Sequence, residues 1–162
     1  MQERLEQAIQ SLGLANHVTL ESRFLPEADC AALISLAEVV VFPYQNTEES
    51  ASAAVRMALA TGSAIATTPL PIFQDLTGVT YSLSGTTAAD IAQGIASVLH
   101  TYISDAQALT RARQLAQQRA YQQGAQQLAP RLTHLLYGLH AQQKSSVHVV
   151  TGQQRDIVQF AV

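Results

Sequence analysis

Apolar residues recur at helical spacing at Leu5, Ile9 and Leu12, and Gly13 is placed to stop the helix they predict. Val18–Phe24 alternates apolar and polar positions, the pattern of a short strand. Ala32, Leu33, Leu36 and Ala37 mark one face of a helix expected over Ala28–Ala37. The continuous apolar run Val39–Phe42, closed by Pro43, predicts a strand covered on both faces in a parallel sheet. A helix follows over Ser50–Ala60, with Ala51, Val55, Ala58 and Leu59 on one side and Gly62 as its stop. Ala64–Thr68 predicts the next strand, Pro69 and Pro71 a loop, Thr80–Leu83 a weaker strand and Ala88–Leu99 an amphipathic helix. Strands alternating with helices argue for βαβ units in a doubly wound α/β sheet.

Beyond Tyr102 the chain is rich in Ala, Gln and Leu. Leu109, Ala112, Leu115 and Ala116 mark a helical face, and Gly124 and Pro130 are expected to divide Ala106–His140 into two helices. Residues 1–140 are therefore expected to form one domain, and residues 141–162 a linker or tail. Within that tail Lys144–Ser146 reads as linker, and Val147–Val150 and Ile157–Val162 as candidate strands. The Gln-rich stretch Gln114–Gln127 keeps its helical period and reads as a solvated face.

Composition agrees with a packed domain: of 162 residues, 48% are hydrophobic and 13% charged. The net charge of −3, with no run of Lys or Arg, argues against a nucleic-acid partner. The single cysteine, Cys30, excludes an internal disulfide and reads as a small buried hydrophobe in a reducing, cytoplasmic setting. No apolar stretch is long enough to span a membrane, and Met1–Gln10 has no signal-peptide pattern. The five histidines show no paired-ligand spacing; His134 and His140 are six apart, so no metal is expected.

Open α/β sheets bind ligands beyond the carboxyl ends of their strands, beside helix N-termini. The best-marked such place is the connection Pro43–Ser52. It leaves the most apolar strand and enters a helix through the small residues Ser50, Ala51 and Ser52. Free backbone N–H groups and the helix dipole suit a phosphate there, and Ser50 is also a candidate cap. Taken alone, a Ser or Glu at a helix start more often serves only as a cap. Neither Gly-x-Gly-x-x-Gly nor a Gly-Lys-Ser phosphate loop is present.

The order of these motifs resembles the C-terminal, donor-binding domain of retaining GT-B glycosyltransferases of the group 1 (family 4) type. The resemblance rests on Leu12–Val18 followed by Phe24-Leu25-Pro26, on Leu36–Pro43, and on Glu49 with the helix ending Ala58–Gly62. It continues through Thr67–Asp75, Leu83–Leu99 and Arg111–Leu139, covering about Gln2 to Leu139. It implies a Rossmann-like doubly wound parallel sheet with closing C-terminal helices. Glu49 occupies the first acidic position of the family's Glu-x7-Glu motif, whose carboxylate contacts donor-sugar hydroxyls. Ser50, Ala51 and Ser52 fall where the diphosphate is held, and Phe24 and Leu25 where the nucleobase packs. Tyr44 is a candidate lining residue of the donor cleft, or a ring closing the core. No metal or cofactor is implied beyond a nucleoside-diphosphate sugar as donor substrate.

The chain departs from the family pattern in several places. Met57 stands where the second Glu would contact the ribose, and Arg56 beside it is a candidate to pair with Glu49 or reach a phosphate. Glu49-Ser50-Ala51-Ser52 replaces the usual Glu-Gly-Phe-Gly. The family's early strands, with an Arg and a Lys for the departing diphosphate, have no counterpart; the only lysine is Lys144. The simplest expectation is a fragment lacking its first strands and its N-terminal acceptor domain, and nearly inactive alone. The intact enzyme would transfer a glycosyl group with retention to a saccharide or lipid-linked acceptor, with peripheral association at the inner membrane face as one option. Two other readings stand beside this one. One is a non-catalytic α/β interaction module derived from such a domain. The other is a nucleotide-sugar epimerase, disfavoured by the lack of a Tyr-x-x-x-Lys pair. Asp75 reads as a helix cap.

Overall fold

A computed structural model describes the backbone of residues 2–150 and the side chains of residues 2–143. Its elements are α1 (Gln2–Ser11), α2 (Glu27–Leu36), β1 (Val39–Phe42), α3 (Ala53–Ala60), β2 (Ala64–Thr67), a 3-10 helix (Pro71–Leu76), β3 (Tyr81–Ser82), α4 (Ala88–Ser104), α5 (Ala106–Gln123) and α6 (Ala125–Val150). The three strands form an open parallel sheet in the order β1-β2-β3. Val39 pairs with Ala64 and Phe42 with Thr67 on one side of β2, and Ala66 pairs with Tyr81 on the other.

The period of two along each strand divides the core between two faces. Val40, Phe42 and Ile65 point to one side, into a cluster with Val55, Ala58 and Leu59 of α3, Ile72, Phe73 and Leu76 of the 3-10 helix, and Ala116 of α5. Val39, Val41, Ala66 and Tyr81 point to the other, against Ile91, Val98 and Tyr102 of α4 and Leu83. This is why β1 and β2 carry almost no polar residue: both faces are under helices. Gly94 lets α4 settle onto the sheet, since a Cβ there would come within 2.9 Å of the Leu83 side chain.

Several expectations need correction. Val18–Phe24 forms no strand; it runs as irregular chain with Val18, Leu20 and Phe24 exposed. Alternation alone does not make a strand without a neighbouring edge to complete the ladder. The open edge of β1 is not used by it, because β1 pairs with β2 alone. The expected face of α2 is not buried either: Leu33 is 54% and Leu36 81% exposed, whereas Ile34 packs on the core. The 3-10 helix occupies what was expected to be a plain loop after Pro69, with Pro71 at its first position, where the missing N–H costs nothing.

The C-terminal part divides at Gly124, whose extended backbone ends α5, and not at Pro130, which lies in the second turn of α6. α6 then continues through residue 140 to Val150, so Lys144–Ser146 is helical backbone and not linker, and Val147–Val150 is helix and not strand. Extending an existing helix needs no new nucleus, whereas a four-residue strand needs a partner. The strand expected at Ile157–Val162 lies outside the described residues.

α5 is anchored by Asp105, whose carboxylate accepts from the backbone N–H groups of Gln107 and Ala108 at 2.9 and 3.1 Å. These bonds, with Arg111 nearby, hold its carboxyl below the usual range. A lowered pKa in the folded state contributes stability above the unfolded value of about 3.9, and that stability is lost as pH falls through the folded value. Asp105→Asn is therefore expected to lessen the acid sensitivity of unfolding below about pH 4, which thermal melts at stepped pH would record.

Candidate functional site

The connection from β1 to α3 holds most of the residues singled out in the sequence. α3 begins at Ala53, not at Ser50, and Ser52 is its N-cap, accepting from the Val55 N–H at 3.4 Å. Glu49, Ser50 and Ala51 therefore precede the helix as exposed irregular chain. The Thr47 hydroxyl takes the Glu49 N–H at 3.1 Å and bends the segment just before the cap. Both Ser50 and Ser52 satisfy the composition of a cap, and only the chain path selects between them. Ser52→Ala should cost about 1 kcal/mol in denaturant unfolding, while Ser50→Ala should stay within about 0.5 kcal/mol of the parent.

Tyr44 supports this corner from below. Its ring packs on Phe73 at 5.3 Å and on Phe42 at 6.3 Å, and its hydroxyl lies 3.4 Å from the Ser52 hydroxyl. The ring thus belongs to the core and the oxygen reaches the helix cap, and Tyr44 lines neither of the two hollows described below.

Arg56 does not pair with Glu49. That pairing needs one helix running through both residues, and α3 starts four residues after Glu49. Arg56 instead donates to Asp75 at 2.6 Å and to the Gln123 side-chain oxygen at 2.8 Å. Asp75 is thus an ion-pair partner within the 3-10 helix and not a cap; Arg119 of α5 also donates to its backbone oxygen and lies 3.9 Å from its carboxylate. Arg56 and Asp75 are a third to a half exposed, so their pair orients Arg56 more than it stabilises the fold. Among the described residues the Glu49 carboxylate has no hydrogen bond or ion pair with the protein.

Ser50 and Arg56 line a hollow of about 540 Å³ together with Pro71, Ile72, Gln74 and Asp75. Phe24 and Leu25 are not part of it. They line a separate hollow of about 450 Å³ with Cys30, Leu33 and Ile34, and Phe24 is fully exposed. Arg23, at the rim of that second hollow, holds the Glu21 carboxyl down at about 2 through a paired hydrogen bond. Cys30 is half-buried there, its thiol 3.8 Å from the Leu25 carbonyl. Met57 is half-buried on α3 and lines neither hollow. The Arg56–Asp75–Arg119 cluster was not legible beforehand, because its members stand 19 and 44 residues apart and carry no shared spacing. Among the described residues no group of three or more His, Cys, Asp or Glu is placed to hold a metal ion, and no helix is long and apolar enough to cross a membrane.

Fold and site together define an α/β protein with a small open parallel sheet and hollows lined by the segments that follow its strands. The chain matches no protein-family model, and no curated protein matches it.

Proposed function

We propose that this chain is the donor-binding part of a retaining GT-B glycosyltransferase, with a Rossmann-like sheet that holds a nucleoside-diphosphate sugar at the start of α3. The observation that carries the reading is an unpaired carboxylate, Glu49, on the connection that leaves the fully apolar β1 and enters a capped helix. A carboxylate with no protein partner is available to accept from sugar hydroxyls. The N–H groups of Ala53 and Ala54 open the helix and lack intrahelical acceptors, so they suit the diphosphate. Arg56, held by Asp75 and Gln123, adds a fixed positive charge at the hollow that Ser50 lines.

The chain would not transfer the sugar unaided. Departure of a diphosphate needs concentrated positive charge, and Arg56 is already engaged with Asp75. The remaining basic groups belong, in this proposal, to the first strands of the donor domain, and the acceptor site to an N-terminal acceptor domain. The open edge of β1, an all-apolar strand, supports further parallel strands beside it. The acceptor is a saccharide or lipid-linked saccharide, and a peripheral position at the inner membrane face belongs to the intact enzyme. A non-catalytic interaction module is favoured by Met57 and by the exposed Phe24 and Leu36.

Isothermal titration with a panel of nucleoside diphosphates and their glucose derivatives separates the two. Glu49→Ala is expected to weaken the sugar-bearing ligands about tenfold and leave the bare diphosphates unchanged. Equal affinity of Glu49→Ala and parent for every sugar-bearing ligand would remove Glu49 from the site. Absence of binding to the whole panel favours the interaction module.

A further inference from the structure

Helix α6 carries an apolar face that no described part of the chain covers. Every residue from Leu128 to Gln143 is exposed, and none of them belongs to either core cluster. Leu128, Leu132, Leu135, Leu136 and Leu139 are 45–57% exposed. At about 100° per residue these five leucines form one continuous stripe along the helix. The same geometry puts Arg131 and His140 on its two borders and Tyr137 on the opposite face. We infer that α6 binds in the plane of an anionic lipid surface, with this stripe at the acyl boundary and its basic borders among the headgroups.

The distribution of charge selects that partner. All but one of the chain's 12 acidic residues lie at or before Asp105. The 26 residues of α6 include no Asp or Glu, but they do include Arg131, Lys144 and three histidines. The arginines of α5 are already met by carboxylates, Arg111 by Asp105, Arg113 by Glu38 and Arg119 by Asp75. Arg131 has no ion pair among the described residues. A helix with cations, no carboxylate and an exposed leucine stripe complements a negatively charged membrane face. An arginine on the border of such a stripe lays its stem on apolar surface and keeps its charge at headgroup level.

Other occupants fit this face less well. Two copies of α6 laid stripe to stripe would bring cation towards cation with no carboxylate on either helix to pair them. A protein groove is anchored chiefly by Trp, Tyr and Arg, whereas the stripe is leucine alone and Tyr137 faces away from it. Among the described residues no helix is long and apolar enough to cross a membrane, so α6 would lie on the surface. The inference gives the peripheral position proposed above a contact surface, but it rests on α6 and stands whether or not a nucleotide sugar binds.

Co-sedimentation of the full chain with phosphatidylcholine vesicles, with and without phosphatidylglycerol, is the test. Binding is expected to the anionic vesicles and to be about tenfold weaker to the neutral ones. Leu132→Gln combined with Leu135→Gln keeps helix propensity at two positions outside the core. This double variant should melt with the parent yet bind anionic vesicles more than about tenfold more weakly. Arg131→Gln should weaken binding about fivefold, and Tyr137→Gln, on the opposite face, should leave it unchanged. Should the double variant fail to fold, the contrast between Arg131→Gln and Tyr137→Gln decides. Absence of binding to anionic vesicles overturns the inference, as does equal binding by the parent and the folded double variant. So does a loss in Tyr137→Gln as large as that in Arg131→Gln. Light scattering without lipid then identifies the occupant: a dimer that the leucine variant dissociates assigns the stripe to a second copy, and a monomer that binds no vesicle leaves it to a protein partner. Nucleotide binding is read separately at Ser50–Ala54, so either reading can fail while the other stands.

Discussion

Phe73→Ala is expected to destabilise the protein by about 3–5 kcal/mol, because it empties the place where the 3-10 helix meets the sheet. The Phe73 ring is 4% exposed and lies against both Phe42 and Tyr44. A domain of this size is stable by only about 5–15 kcal/mol, so the variant would approach the threshold of folding. Loss of the ring also frees Tyr44, whose hydroxyl reaches the Ser52 cap. The amide signals of Ser52 to Val55 should broaden or shift even where the variant remains folded. Urea unfolding with an unchanged slope and a midpoint within experimental scatter of the parent would contradict this placement of Phe73.

Leu59→Ala should cost about 2–5 kcal/mol, while Leu36→Ala should change stability by less than about 0.5 kcal/mol. Both leucines lie on helices beside the sheet, but Leu59 is 2% exposed in the cluster between α3, α5 and β2, and Leu36 is 81% exposed at the end of α2. The pair is a direct check on which face of each helix is buried. Comparable losses in the two would mean that α2 packs through a different face.

The same contrast shows what could be read from the chain and what could not. Val39–Phe42 and Ala64–Thr67 were legible because a strand covered on both faces is apolar at every position, with no phase to choose. Ala88 as the start of α4 was legible because its determinants are local: Thr87 and Asp90 form a reciprocal capping box within four residues of sequence. Val18–Phe24 was not, because a strand exists only with a neighbour, and nothing local encodes whether one is present. The α2 face failed for a related reason: Leu33 and Leu36 have the right period, but burial depends on what lies opposite. At the candidate site, the location of the β1–α3 connection and the small residues around Ser52 followed from local sequence. The partners of Arg56 did not, since Asp75 and Gln123 reach it only after the 3-10 helix and α5 are packed.

The proposed binding of a nucleoside-diphosphate sugar lies at the start of α3. Amide shift mapping tests it most directly, with uridine, guanosine and adenosine diphosphates and their glucose derivatives added in turn to the full chain. At least one diphosphate is expected to give saturable shifts concentrated at Ser50–Ala54, and its glucose derivative to extend them to Glu49. Saturable shifts confined to other parts of the chain, or none with any of the six ligands, would contradict it.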